Sequence, residues 1–287
     1  MKSSSRRDFL KTSGAVSAAA LLGGRSLMAA PLDKPIGLEL YSVRNLLPKD
    51  FDGTLRQVSD AGYKEVEAAG FYNKPAAEFR HAMDKAGLKC ISAHYTLTDF
   101  RTKLDEMLDY AHGLGLDYMI CSSSGGVHRN PNAKGELTLD DWRYVTGEFN
   151  RIGEKVKAAG MTFGVHNHVP EFAVEDGVVV YDELLRLTDP KLVYFEMDCG
   201  WVTAAGHNPV DYLSKTPERF PLMHVKDMSH DAKGYHSVVM GKGVANYQAI
   251  LRAATGLKHY FIEQEEFVGD PMTELRADAD YMRKLDV

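Results

Sequence analysis

The scarcities of this sequence exclude several classes of protein. Three cysteines in 287 residues, Cys90, Cys121 and Cys199, are odd in number and each falls in an apolar stretch that reads as a strand. Buried thiols are therefore expected rather than a disulfide framework. Positive charge is not in surplus: the formal net charge is -6, the isoelectric point is near 6.0, and no Lys/Arg run lies outside the N-terminus. A nucleic acid or other polyanion is excluded as a partner, since phosphate binding requires a clustered basic surface. No apolar run approaches the ~20 residues that cross a bilayer as a helix. No G-x-G-x-x-G or Walker pattern occurs, and no Pro/Ser-rich linker or charge block divides the chain. With 44% hydrophobic and 26% charged residues, one large soluble domain is the economical expectation.

The N-terminus carries an address. Ser5-Arg6-Arg7-Asp8-Phe9-Leu10-Lys11 is a twin-arginine pattern, followed by a weakly apolar, Ala/Gly/Ser-rich run from Thr12 to Gly24 and by small residues around Ala29 and Ala30. Residues 1–30 read as a signal peptide cleaved after Ala29 or Ala30, which leaves residues 31–287 as the mature domain. The partner during export is the twin-arginine translocon, with no membrane attachment after cleavage, and the destination is the periplasm or the outside of the cell. That pathway carries folded proteins, which suits an enzyme that loads a metal before export.

From Pro35 onward, short β-branched or aromatic runs alternate with segments of helical period. The strands are expected at Ile36–Ser42, Lys64–Ala69, Leu88–Tyr95, Tyr118–Ser122, Thr162–His168, Val193–Cys199, Leu222–Asp227 and Tyr260–Glu265. Helical patterns include Phe51–Ala61, Ala76–Ala86, Arg101–Leu114, Leu139–Ala159, Pro209–Lys215, Tyr247–Ala254 and Met272–Lys284. Gly62, Gly87, Gly115, Gly160 and Gly256 stand where a helix would end in a left-handed residue. Eight βα units over a length near ~250 residues specify an α/β fold, a single (β/α)₈ TIM barrel. The longest insertion is expected at Ser122–Thr138, on the face where barrels carry their sites.

Strand side chains alternate between two faces. Phe163 and Val165 oppose His166 and His168; Phe195 and Met197 oppose Glu196 and Asp198; Met223 and Val225 oppose His224 and Lys226; Ile262 opposes Phe261, Glu263 and Glu265; Val66 and Ala68 oppose Glu65 and Glu67; Ile91 and Ala93 oppose Ser92 and His94. The apolar parity is expected to face the helices and the polar parity the lumen. Any one inward His would ordinarily be a satisfied core residue. His166, Asp198, His224 and Glu263, at the C-terminal ends of four successive strands, form a converging set that points to one divalent metal ion. An N₂O₂ set accepts Mn, Zn, Co or Fe.

At these residues the chain resembles the xylose isomerase-like barrel superfamily, the sugar phosphate isomerase/epimerase group with inosose dehydratases, ketose 3-epimerases and barrel-type abasic-site endonucleases. The resemblance spans nearly the whole mature chain and is carried by Gly164-Val165-His166-Asn167-His168 with Glu171-Phe172, Asp198-Cys199-Gly200-Trp201, Gly206-His207-Asn208-Pro209, His224-Val225-Lys226-Asp227, Gly241-Lys242-Gly243 and Ile262-Glu263-Gln264. It implies one metal held by strand-end residues of the fifth to eighth strands, here His166, Asp198, His224 and Glu263. The epimerases carry a carboxylate that doubles as acid/base where His166 stands. A metal-bound imidazole has no free lone pair for that work, which leaves proton removal beside a polarised carbonyl, followed by elimination or a 1,2-shift. The endonuclease branch carries a further His where Trp201 stands.

The implied function is a metal-dependent isomerase/epimerase on an unphosphorylated keto-sugar, cyclitol or 3-keto-glycoside, with a dehydratase of the inosose type or a non-catalytic sugar-binding protein as alternatives. Lys226, Glu265, His168 or His94 is expected to move the proton, with Glu263 beside them. Lys226 either has its basicity tuned by a cationic neighbour or forms a salt bridge with Glu263 or Glu265. His94, Glu67, Glu171, Tyr41 and Trp201 are expected to contact substrate, although Glu171 could instead cap the next segment, and Tyr41, Trp201, Phe71 and Tyr95 could be loop anchors. His207 and His236 are expected at the surface, and Asp227, Gly241 and Gly243 as architecture around the seventh-strand loop.

Overall fold

The computed structural model describes residues 33–287. The expected signal peptide, residues 1–30, and its cleavage point lie outside the described residues. Eight parallel strands close into a barrel in chain order. They are β1 (Gly37–Glu39), β2 (Glu65–Ala68), β3 (Lys89–Thr96), β4 (Tyr118–Ser123), β5 (Thr162–His166), β6 (Val193–Asp198), β7 (Leu222–Val225) and β8 (His259–Ile262). Closure comes from β1 against β8, with Gly37 opposite Phe261 and Leu38 opposite Ile262.

The helices that sheathe the barrel follow the expected periods, several to the residue: Phe51–Ala61, Ala76–Ala86 and Pro209–Lys215. Local chemistry fixes their ends. Asp50 caps the first of these through Gly53 N, and Thr138 with Asp141 forms a reciprocal capping box at Leu139–Ala158. Gly62, Gly87, Gly115 and Gly160 are left-handed as expected, whereas Gly256 is not. Gly256 is glycine because its backbone lies against Pro217, where an added Cβ would fall 1.9 Å from the carbonyl oxygen.

Other departures are equally local. The expected helix Arg101–Leu114 is two, Leu97–Thr102 and Leu104–Leu114, broken at Lys103, whose φ of -135° leaves the helical region. β6 stops at Asp198, and Cys199 opens a short helix, Cys199–Ala204, that Asp198 itself caps through Trp201 N. β5 and β7 end at His166 and Val225, before the expected His168 and Asp227. The connection after β7, residues 226–246, outruns the one after β4 because it folds into its own antiparallel hairpin, Asp227–Asp231 with Gly234–Val238. His236 lies in that hairpin. Asp227 braces its base by accepting from the amides of Met228, Gly241, Gly243 and Ala245, the architectural role expected of that loop.

The apolar parity packs under the helices in one continuous core that includes Leu38, Val66, Phe163, Phe195, Met223 and Ile262. Inside the barrel a separate apolar cluster, Ile91, Ile120, Leu222 and Phe261, fills the lumen. Ile91 belongs to it, not to the helix-facing side. The register between β2 and β3 shifts so that Cys90 pairs with Val66 and Ser92 with Glu67, which leaves Ile91 as the extra, bulged residue. All three cysteines are free and buried. No helix among the described residues is long and apolar enough to cross a membrane.

Candidate metal and active site

Directly above that apolar layer the lumen turns ionic, at the C-terminal ends of the strands. β1 contributes Glu39, β2 Glu67, β3 His94, β5 His166, β6 Glu196 and Asp198, β7 His224, and the chain beyond β7 and β8 adds Lys226, Glu263 and Glu265. Glu39, Glu67, Glu196, Asp198, His224 and Lys226 are fully buried. The His224 ring divides the group. Its Nδ1 lies 3.1 Å from Glu263 Oε2 and 3.9 Å from Asp198 Oδ2. Its Nε2 faces Glu67 Oε1 at 2.7 Å and Glu196 Oε2 at 3.3 Å. His166 Nδ1 lies 3.0 Å from Glu196 Oε2, and its Nε2 lies 4.0 Å from Asp198 Oδ2. His94 Nε2 sits between Glu196 Oε2, at 2.8 Å, and Glu67 Oε1, at 2.9 Å.

Of the metal set expected from sequence, Asp198, His224 and Glu263 converge closely enough to share one ion, while His166 groups with His94, Glu196 and His224. The donor set fits a cation on grounds independent of resemblance. Five buried carboxylates, Glu39, Glu67, Glu196, Asp198 and Glu263, face at most three cationic groups: Lys226, His94 and His224. Glu39 Oε2, Glu67 Oε2 and Glu196 Oε1 have no hydrogen-bond partner among the described residues. The surplus shows in the acidities. Burial, reinforced by neighbouring carboxylates, pushes Glu39 well above the usual carboxylate range and Glu196 up to about 7. Burial likewise raises Asp198 in spite of Lys226. Burial opposes charge on Glu67 and Glu263 too, but His94 and His224 hold Glu67 low, and Lys226 and His224 hold Glu263 low. A divalent ion would neutralise this surplus with the ligand types it prefers.

Lys226 takes the ion-pair alternative. Its ammonium lies 2.9 Å from Asp198 Oδ2, 2.8 Å from Glu263 Oε2 and 2.6 Å from Glu265 Oε1, beneath the face of Trp201. These carboxylates outweigh burial and raise its pKa, so in this arrangement the Lys226 ammonium spaces three carboxylates. His168 behaves oppositely. Burial, followed by the Lys226 charge, lowers it to about 4, so its imidazole is neutral near pH 7. Asn167 holds the neighbouring strand ends together, bonding Asp198 O at 3.2 Å and Asp198 N at 3.1 Å.

A cavity of about 730 Å³ opens over this cluster, lined in part by Glu39, Tyr41, His94, His166, His168, Trp201, Glu263 and Glu265. Two residues expected to touch substrate do not line it. Glu67 lies fully buried beneath His94 and His224. Glu171, buried rather than surface-exposed, accepts from His168 N at 2.9 Å and so clamps that loop, and burial raises it to about 7. Phe71 and Tyr95 do line the cavity. His207 packs on Phe172, away from it.

Glu39 and Glu196 are site residues that sequence reasoning did not single out. Glu196 shares the inward parity of Asp198 two residues on, a signal that was present. Glu39 sits in a strand of only three residues, too short to show a period.

Residues 55–285 match the family model of xylose isomerase-like TIM barrels, and residues 3–23 match the twin-arginine translocation pathway signal sequence. The chain therefore carries an export signal that directs it to the periplasm or the exterior. Among curated proteins it is 26% identical over 195 residues to an inosose dehydratase of Geobacillus kaustophilus, a match that spans 63% of this chain and only 63% of that relative. Among solved structures it is similar to two sugar phosphate isomerase/epimerases from Parabacteroides distasonis. One is 26% identical with a TM-score of 0.75, covering 88% of this chain and 94% of that one. The other is 29% identical with a TM-score of 0.73, covering 86% and 97%.

Proposed function

Because the chain belongs to the xylose isomerase-like TIM barrel family, we propose that residues 31–287 form an exported metal-dependent enzyme that removes a proton beside the carbonyl of an unphosphorylated keto-sugar, cyclitol or 3-keto-glycoside. The observation that carries this reading is the surplus of buried carboxylates at the floor of an open cavity. A phosphorylated substrate is disfavoured by the same lining. Glu39, Asp99, Glu263 and Glu265 border the cavity, and the cation at its rim, Lys103, is paired to Asp99 at 3.3 Å.

Asp198, His224 and Glu263 would hold the ion with His166 beside them, and the ion would supply Lewis-acid polarisation of the substrate carbonyl. His168, neutral and on the cavity wall, accepts the proton from the adjacent carbon. Lys226 and Glu265 keep the Asp198 and Glu263 carboxylates in place. Burial disfavours charge on His94, but Glu67 and Glu39 outweigh it and hold the imidazole protonated. In an elimination the His94 proton goes to the departing hydroxyl, which leaves as water when its C–O bond breaks. In an isomerisation His168 returns its proton to the neighbouring carbon, while the hydroxyl proton of the first carbon passes to the former carbonyl oxygen. The elimination is favoured by the imidazole of His166, which stands where the epimerases carry their acid/base carboxylate, and by the dehydratase name of the curated relative.

Metal analysis and hydrogen exchange test the proposal. Protein folded in the cell should hold about one divalent ion per chain, and His224→Ala should lose it; unchanged metal content in that variant would overturn the ligand set. A keto-cyclitol or methyl 3-keto-glucoside incubated in D₂O should exchange the proton beside its carbonyl, and His168→Ala should slow this by about 10²–10⁴-fold. Binding without exchange would mark a sugar-binding protein instead.

A further inference from the structure

Glu67 is a fully buried carboxylate whose close polar contacts are both imidazoles. It stands on β2 at the inward parity, with Glu39 opposite it on β1 and Ser92 on β3. One oxygen makes both contacts. Oε1 lies 2.7 Å from His224 Nε2 and 2.9 Å from His94 Nε2, while Oε2 has no hydrogen-bond partner among the described residues. Glu39 beside it behaves differently, since its Oε1 accepts from Tyr41 N and caps the turn that follows β1. Glu67 caps no such turn, so its side chain acts on the two rings.

The nitrogens of His224 face opposite ways, Nδ1 toward Asp198 and Glu263 and Nε2 toward Glu67. A neutral imidazole carries one proton, and the nitrogen that carries it has no lone pair for a metal. An ionised carboxylate accepts and cannot donate, so Glu67 draws that proton to Nε2 and leaves the Nδ1 lone pair directed at Asp198 and Glu263. Glu196 competes for Nε2, but its contact is longer, at 3.3 Å, and the same oxygen is already engaged by His94 and His166.

We propose that Glu67 is a positioning residue for the metal centre, which fixes the tautomer and orientation of His224 so that Nδ1 is the ligand atom, and through the same oxygen holds His94 on the cavity wall. The inference rests on the ligand set proposed above and extends it to a residue that does not border the cavity. Metal-bound histidines commonly donate their second ring N–H to such a carboxylate, and loss of that partner costs about 10–100-fold in metal affinity.

Zinc on the full chain is the probe. Long-range proton–nitrogen correlation NMR of the zinc-loaded protein, with labelled histidine, should show His224 protonated at Nε2. In Glu67→Gln the side-chain amide can donate to Nε2 instead, so protein with His224 protonated at Nδ1 should appear and zinc affinity in chelator competition should fall by about 10–100-fold. If thermal melting shows that Glu67→Gln does not fold, Glu67→Ala takes its place in the affinity measurement. Glu65→Gln is the control: Glu65 begins the same strand at the other end of the barrel and pairs with His259 Nδ1 at 2.8 Å, so zinc affinity should stay at the wild-type level. A proton on Nδ1 in the wild type, unchanged zinc affinity in the Glu67 variant, or an equal loss in Glu65→Gln overturns the role. If His224→Ala keeps its zinc, the ligand set itself fails and this role with it. If His224→Ala loses zinc while the Glu67 variant binds it as the wild type does, the positioning role alone fails.

Discussion

The lower layer of the lumen, Ile91, Ile120, Leu222 and Phe261, is apolar and buried, whereas two residues further along the same strands come Ser122 after Ile120, His224 after Leu222 and Glu263 after Phe261. The strand pleat and the barrel tilt are common to both layers, so geometry does not separate them. Side-chain chemistry does. The lower layer contributes burial and asks nothing of a ligand, while the upper layer collects buried carboxylates whose charges its own histidines and lysine do not match. One layer is finished by folding, and the other is finished by what binds to it.

That division predicts that stability and metal binding separate by layer. The largest effect belongs to the lower layer: Leu222→Ala, in a side chain 1% exposed, should lower unfolding free energy by about 2–5 kcal/mol in denaturant titration. The metal content of the folded fraction should stay at the wild-type level. Loss of metal in proportion to stability would show that the layers are not separate.

Glu196→Gln reverses the pattern. Glu196 Oε2 contacts His166 and His94 while Oε1 is unpartnered, so its carboxylate orients imidazoles without being one of the Asp198, His224 and Glu263 donors. Weakening such an outer partner should reduce metal affinity by about 10–100-fold in chelator competition. Burial already disfavours its charge, so a neutral amide should lower stability less than Leu222→Ala does. Unchanged metal affinity would remove Glu196 from the site.

The same contrast explains what the sequence could disclose. Alternation along β5, β6 and β7 placed His166, Asp198 and His224 inward, and helical periods located Phe51–Ala61 and Pro209–Lys215 to the residue, because these patterns are local and repeat. Ile91 escaped because a bulge breaks the alternation it depends on, and its register is set by a neighbouring strand. The choice between the two readings of Lys226 stayed open in the sequence for a different reason. Whether a buried lysine is a base or a fixed cation depends on how many carboxylates surround it, and Asp198, Glu263 and Glu265 reach it from strands distant in sequence. Glu67 and Glu171 have the expected polarity but lie one step behind the cavity wall, a depth that parity cannot report.

The smallest effect probes how tightly the lower layer is filled. Gly164 stands on β5 two residues before His166, and a Cβ added there would lie 2.6 Å from Ile120 Cδ1. Its backbone is not in the left-handed region, so steric overlap alone opposes a larger residue. Because the atom in the way is the end of a flexible side chain, Gly164→Ala should cost about 1 kcal/mol, the low end for overpacking. Ile120→Val removes that Cδ1 and by itself should cost about 0.5–1.5 kcal/mol. Combined, the two should cost less than their sum, because the new methyl occupies the space the old one leaves. Strict additivity in the double-mutant cycle would mean that Ile120 does not fill the space against Gly164, and that the lower layer is looser than its complete burial implies.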